Sequence, residues 1–233
     1  MCGRFNISDS PAVQQLLLRL GIDSHNWPVR FNDFHRACNT ISIVRHDGQN
    51  TVLEDATWWL LLEFKDDRFK PSRYTSFNTR YDKLDVPRSA GYRPFRQSRC
   101  VIPASGFGET EYETVNGKKK PMRYTNFNAK EAIAFGGLYR QWQHPLSGEI
   151  VNSCSIITLP PHPKLNPYHS KASPLMLPQE GPWLEQWLDP EIREVEQFAP
   201  LLQPAIRQDL EAQIINKPSE RLAIGRSTTI LAD

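Results

Sequence analysis

The dipeptide Asn116-Gly117 stands between two polar-aromatic stretches, residues 109–115 and 121–127. Both central residues of a tight hairpin turn need positive φ, and Asn-Gly is the pair that tolerates it best. That pair commits the middle of the chain to antiparallel strands. More strand patterns surround it. Residues 40–45 and 50–58 read as two strands joined by a turn around Asp47-Gly48, residues 99–103 as a short buried strand, and residues 131–139 and 150–158 as two further strands. Helix signals sit at the ends. Ser8, Asp9 and Ser10 offer caps, Pro11 suits a first helical position, and Gly21 closes the run Ala12 to Leu20. Helical patterns return at about 180–187, 190–203 and 205–213. Residues 63–75 read as an exposed charged loop. The stretch from Thr158 to Pro174 holds too many prolines for regular structure, and a loop of that length in a compact domain is often functional. One helix, many strands, then helices give an α+β chain, and 233 residues fit a single domain.

Composition excludes some functions. Apolar residues make up 39% of the chain, enough for a core, so wholesale disorder is excluded. With 28 Lys and Arg against 26 Asp and Glu, the net charge is +2, so any nucleic-acid surface must come from local arrangement. No apolar run approaches the ~20 residues that span a bilayer. The start, MCGRFNISDS, has no apolar signal core, and a cytoplasmic protein with reduced thiols is expected. The four cysteines form no CxxC pair. Cys38, Cys100 and Cys154 read as small core residues.

Cys2 differs by position. Removal of Met1 would leave it with a thiol and a free α-amine, of reference pKa about 8.5 and about 7.7–8.0. Such an aminothiol condenses with an aldehyde through its amine, and the thiol then closes a five-membered thiazolidine. It could equally serve as a thiolate nucleophile on an acyl group, with its own amine as base. The following Gly3 permits close backbone approach, and Arg4 supplies a fork suited to phosphate.

MCGRF at the start, Asn78-Thr79-Arg80, the run Arg99 to Glu109 (RCVIPASGFGE) and a late histidine before Pro-Leu-Met-Leu form an ordered set. This set resembles the SOS response-associated peptidase family of abasic-site processing proteins, over roughly residues 2–178. The resemblance implies covalent capture of abasic sites in single-stranded DNA, as a thiazolidine on the processed N-terminal cysteine. It also implies self-removal of the first residue, hence protease and lyase-like chemistry in DNA damage tolerance.

Carried over by motif, Cys2 is the nucleophile, Asn78 positions it, Glu109 is the general acid/base, and His169 assists proton transfer at the sugar. Arg4 and Arg80 match phosphate-contacting arginines, Trp58 and Trp59 fall where the family has tryptophans near DNA, and Lys171 stands in the place of an arginine after the histidine. The implied partner is single-stranded DNA containing abasic sites. No cofactor or metal is required, because the lesion supplies the electrophile, and no membrane or obligate protein partner is evident. The expected fold is a strand-rich, barrel-like central sheet flanked by helices, one domain over 1–233, with a motif-bearing core at 2–178 and a helical part at 179–233.

The sequence departs from the family where Gly108 and Thr110 replace aromatics beside Glu109, and where the segment His169 to Pro174 is one residue longer. Residues alone leave alternatives open. Glu111 competes with Glu109 and His162 with His169. Trp58 or Trp59 could be core. The basic run Arg88, Arg93, Arg96, Arg99 could line DNA or be a solvated face. Two other functions need much the same residues: an N-terminal-nucleophile cysteine peptidase acting on peptides, and a non-covalent reader of modified single-stranded DNA.

Overall fold

The computed structural model describes residues 3–233; Met1 and Cys2 lie outside them. In chain order the elements are β1 (Arg4–Ile7), α1 (Pro11–Arg19), β2 (Asn32–Arg36), β3 (Thr40–His46), β4 (Thr51–Thr57), β5 (Leu62–Lys65), β6 (Arg68–Pro71), β7 (Asn78–Arg80) and α2 (Tyr92–Gln97). There follow β8 (Arg99–Val115), β9 (Lys118–Gln143), β10 (Ile150–Leu159), β11 (Ser173–Pro174), α3 (Trp183–Leu188), β12 (Leu210–Ile215) and β13 (Thr228–Ile230). The fold is α+β in one domain.

The sheet closes on itself. Strand β9 pairs with β10, β10 with β4, β4 with β3, β3 with β8, and β8 returns to β9. Five strands thus form a barrel-like ring, and closure leaves no edge inside it. The long strands β8 and β9 continue past the ring. There β8 pairs with β1 through Asn6↔Gly106 to Arg4↔Gly108, while β9 pairs with β12 from Leu210↔Ala129 to Ile215↔Tyr124. Arg4, Glu109 and Glu111 sit on this extension.

Local chemistry explains the elements. At the β8–β9 turn Asn116 and Gly117 have φ of +50° and +73°, as a two-residue hairpin turn requires. Helix α1 starts on Ser10, whose side chain accepts from the Val13 amide, and ends before Gly21 at φ +76°. Aromatic rings fill the centre: Phe5 meets Trp58 edge-on at 5.0 Å, and Phe107 stacks on Phe127 at 4.7 Å.

Three expectations are corrected. Residues 205–213 do not form a helix: β12 occupies Leu210–Ile215, with buried Leu210 and Ala212 alternating with Glu211 and Gln213. Only α3 and a 3₁₀ stretch at Val195–Leu202 make the C-terminal part helical. The 63–75 segment is not a loop throughout: β5 and β6 form a hairpin whose Phe64 and Phe69 rings lie 5.2 Å apart. Cys38 is not in the core but exposed, at φ +72°, while Cys100 and Cys154 are buried as expected. Among the described residues no helix is long and apolar enough to cross a membrane.

Candidate active site

Glu109 lies on β8 just beyond the barrel, and only 3% of it is exposed. Period two along the strand puts Glu111 on the same side. His169 arrives from the proline-rich segment between β10 and β11, and its ring enters between the two carboxylates. Its Nε2 is 3.5 Å from Glu109 Oε2 and its Nδ1 is 3.3 Å from Glu111 Oε2. Thus His169, not His162, meets Glu109. His162 is buried elsewhere, with Nε2 3.0 Å from Asp233.

The two carboxylates behave differently. Burial drives Glu109 up to about 7, against a smaller opposing pull from the Arg4 guanidinium. Glu111 is half-buried. Its partial burial is outweighed by hydrogen bonds from the Ser170 amide and hydroxyl, at 3.0 and 2.8 Å, which hold it below the usual carboxylate range. Glu111 therefore anchors the loop rather than carrying an exchangeable proton. His169 is pushed down to about 4, chiefly by burial, with Glu111 resisting. At neutral pH the imidazole is uncharged, so the Glu109–His169 contact is not an ion pair there.

Arg4 on β1 is buried and donates to the carbonyls of Glu109 and Thr125, at 3.2 and 3.1 Å. Its side chain crosses β8 at Gly108: a Cβ there would come within 2.0 Å of Arg4 Nε. That contact explains why glycine, and not an aromatic, precedes Glu109. Arg4 joins β1 to β8 and places positive charge beside the site, in addition to any role toward phosphate.

A cavity of about 510 Å³ opens over this cluster, lined by Gly3, Arg4, Phe34, Arg36, Phe77, Gly108, Thr110, Tyr112, Lys119, His169, Lys171 and Pro218. Four of these side chains are Arg or Lys and none is acidic. Lys171 also sits over the Tyr112 ring at 5.2 Å. Among the described residues no group of three or more His, Cys, Asp or Glu could hold a metal ion.

The other candidates are distributed as follows. Asn78 and Arg80 lie on β7, paired with β10, next to Phe77 of the lining. Arg80 is exposed and paired with Asp82 at 2.7 Å. Trp58 is fully buried, and its Nε1 donates to the Phe77 carbonyl at 2.8 Å. It is a core pillar, and the expectation that it touches DNA is corrected on that ground. Trp59 is half-buried, donates to the Ser72 carbonyl at 3.2 Å, and is not part of the cavity lining. Cys2 lies outside the described residues, and its neighbour Gly3 is at the cavity. Sequence reasoning missed Phe34, Arg36, Tyr112 and Lys119. Phe34 and Arg36 lie on β2, where no motif marks them, and Lys119 lies two residues after the Asn-Gly turn.

The chain is 28% identical over 229 residues to "Abasic site processing protein YoqW" of Bacillus subtilis, covering 94% of this chain and 95% of that one. It is 23% identical over 158 residues to "Abasic site processing protein HMCES" of Xenopus tropicalis, covering 61% and 47%. Among solved structures, a protein from Bacteroides thetaiotaomicron superposes with a TM-score of 0.64 at 19% identity, covering 91% of this chain and 92% of that one. One from Bordetella bronchiseptica superposes at 0.65 and 16%, covering 93% and 100%. The family description "SOS response associated peptidase (SRAP)" matches residues 1–218, and the chain belongs to that family.

Proposed function

We propose that the protein captures abasic sites in single-stranded DNA through the aminothiol of Cys2, after removing Met1 at the same site. One observation carries the reading: the residue next to Cys2 lines the same cationic cavity as His169, with Glu109 buried behind that imidazole. The abasic-site processing names of the relatives agree with it.

In this reading the Cys2 amine adds to the C1′ aldehyde of the ring-opened sugar and gives a carbinolamine. Protonated Glu109 delivers a proton to the departing hydroxyl, which leaves as water, and the imine forms. The Cys2 sulfur then bonds to the imine carbon, the nitrogen takes up a proton, and the thiazolidine closes. The balance is one aldehyde and one aminothiol giving one thiazolidine and one water. Neutral His169 accepts a proton from substrate or passes it to Glu109. Asn78 positions the amine. The cationic lining favours a phosphate-bearing strand over a peptide, and this sets capture above the peptidase reading.

The test is a denaturation-resistant adduct between the purified protein and an abasic single strand, read by intact mass. It is expected with abasic and not with intact DNA, without Met1, and lost in Cys2→Ala. An adduct that persists in Cys2→Ala overturns the proposal. Turnover of a peptide library without DNA would support the peptidase alternative. Undiminished binding in Cys2→Ala with no adduct from either protein would support the non-covalent reader.

A further inference from the structure

The basic run at Arg88, Arg93, Arg96 and Arg99 divides in the fold. Arg99 is buried and donates to four carbonyls, those of Phe95, Trp187, Asp189 and Ile192. Arg96 is held by Asp85 at 2.9 Å and by the Leu84 and Tyr92 carbonyls. These two are structural. Arg93, exposed on α2, makes no hydrogen bond or ion pair of this kind among the described residues.

Opposite it, β9 brings Arg140. The two arginines line a cavity of about 240 Å³ together with Gln97, Ser98 and Trp142. Arg140 Nη2 donates to the Ala90 carbonyl at 2.8 Å, and its Nε is buried without an acceptor among the described residues. Burial and the like charge of Arg93 hold Arg140 below the usual arginine value, and no carboxylate offsets them among the described residues. Trp142 is fixed by its own bond to Ser153 Oγ at 2.8 Å and walls the cavity. Two guanidinium groups, one of them partly desolvated, form a cationic concavity whose lining holds no carboxylate.

We propose that this cavity binds a phosphate group, taken between Arg93 and Arg140, with Gln97 and Ser98 as further donors. The guanidinium fork matches a tetrahedral oxyanion, and two such groups share one concave wall. This cavity shares no lining residue with the one over Glu109 and His169. The inference therefore stands whether or not abasic capture does. The phosphate can come from free inorganic phosphate or from the backbone of a nucleic-acid strand.

The experiment uses the full chain as wild type, Arg93→Gln, Arg140→Gln and the double variant. One arm measures melting temperature in inorganic phosphate against chloride at equal ionic strength. The other measures anisotropy of a labelled, intact oligothymidylate across a salt series. A backbone phosphate predicts about tenfold weaker strand binding in the double variant, with the slope of log K against log salt reduced by about 0.7. Free phosphate predicts a phosphate-dependent rise in melting temperature that the double variant loses, with strand binding unchanged. Arg93 is exposed, so Arg93→Gln keeps the fold and should give a partial loss in the same arm. If wild type and the variants respond alike to both probes, the site does not exist.

Discussion

A carboxyl that titrates near 7 beside an imidazole that titrates near 4 reverses the usual order of the two groups. Burial is the main cause for both, because each fully charged form would lose hydration. The consequence for stability has opposite signs. Glu109 has its folded value raised above its ordinary 4.5, so the stability it contributes is present below about pH 4.5 and is lost as pH rises through about 7. His169 has its folded value depressed below its ordinary 6.5, so its contribution is complete above that pH and is lost as pH falls toward about 4. In the wild type these slopes oppose each other between pH 4.5 and 6.5, each on the order of 3 kcal/mol over its window. Glu109→Gln removes one of them. Its melting temperature should therefore climb more steeply with pH over this range than that of the wild type, by several degrees. Parallel curves would mean that Glu109 is ionised in the fold. Activity has its own signature. Capture should decline above about pH 7 in the wild type, while Glu109→Gln should be slower by ~10²-fold or more and should lose that decline. The same scale shows what sequence can hide. Gly108 reads as a missing aromatic, yet it is glycine because the Arg4 side chain occupies the space of its Cβ.

The segment that carries His169 is irregular but not loose, since it is tied at both ends. At the inner end Glu111 accepts from Ser170, and Arg123 donates to the Pro167 carbonyl. At the outer end His162 and Lys164 reach Asp233, and Lys164 also donates to the Leu231 and Ala232 carbonyls. The two ties should be separable. Glu111→Ala releases Ser170, so amide exchange at His169, Ser170 and Lys171 should accelerate and capture should slow about tenfold, which is ~1.4 kcal/mol. Asp233→Ala should accelerate exchange around Lys164 and leave the Ser170 amide protected. Hydrogen exchange read by mass spectrometry or NMR decides this, and unchanged protection at Ser170 in Glu111→Ala would remove the anchoring role. The anchor was invisible in sequence because it links residues 59 apart. Elements with local signals were legible: α1 through Ser10, Pro11 and Gly21, and the long hairpin through Asn116-Gly117. Those that depend on tertiary pairing were not. Strand β12 was misread as a helix, although its alternation was there to find, because helical patterns precede it. The β5–β6 hairpin turns through Asp66 and Asp67, both at positive φ without a glycine to announce it.

At the scale of the molecule, five strands close a ring, while the projecting halves of β8 and β9 carry Glu109, Glu111 and Lys119 to the cavity. The cavity collects its cations from distant parts of the chain: Arg4 from β1, Arg36 from β2, Lys119 from the start of β9, and Lys171 from the loop after His169. A net charge of +2 gives no sign of this, because the remaining charges are dispersed. The sequence motifs located Arg4 and Lys171, whereas Arg36 and Lys119 join them only through folding. Both are exposed and make no ion pair among the described residues, so their substitution should leave stability nearly unchanged. If a strand lies in this cavity, each contact supplies phosphate neutralisation. Arg36→Gln and Lys119→Gln should then each weaken binding of an intact single strand, and each should reduce the slope of log K against log salt by about 0.7. Trp58→Phe is the control of opposite kind. Its indole is fully buried and bonded to the Phe77 carbonyl, so it should lower the melting temperature and leave the salt slope where it was. A slope insensitive to Arg36 and Lys119 would place the strand elsewhere, and the cationic lining would then serve a smaller anionic ligand.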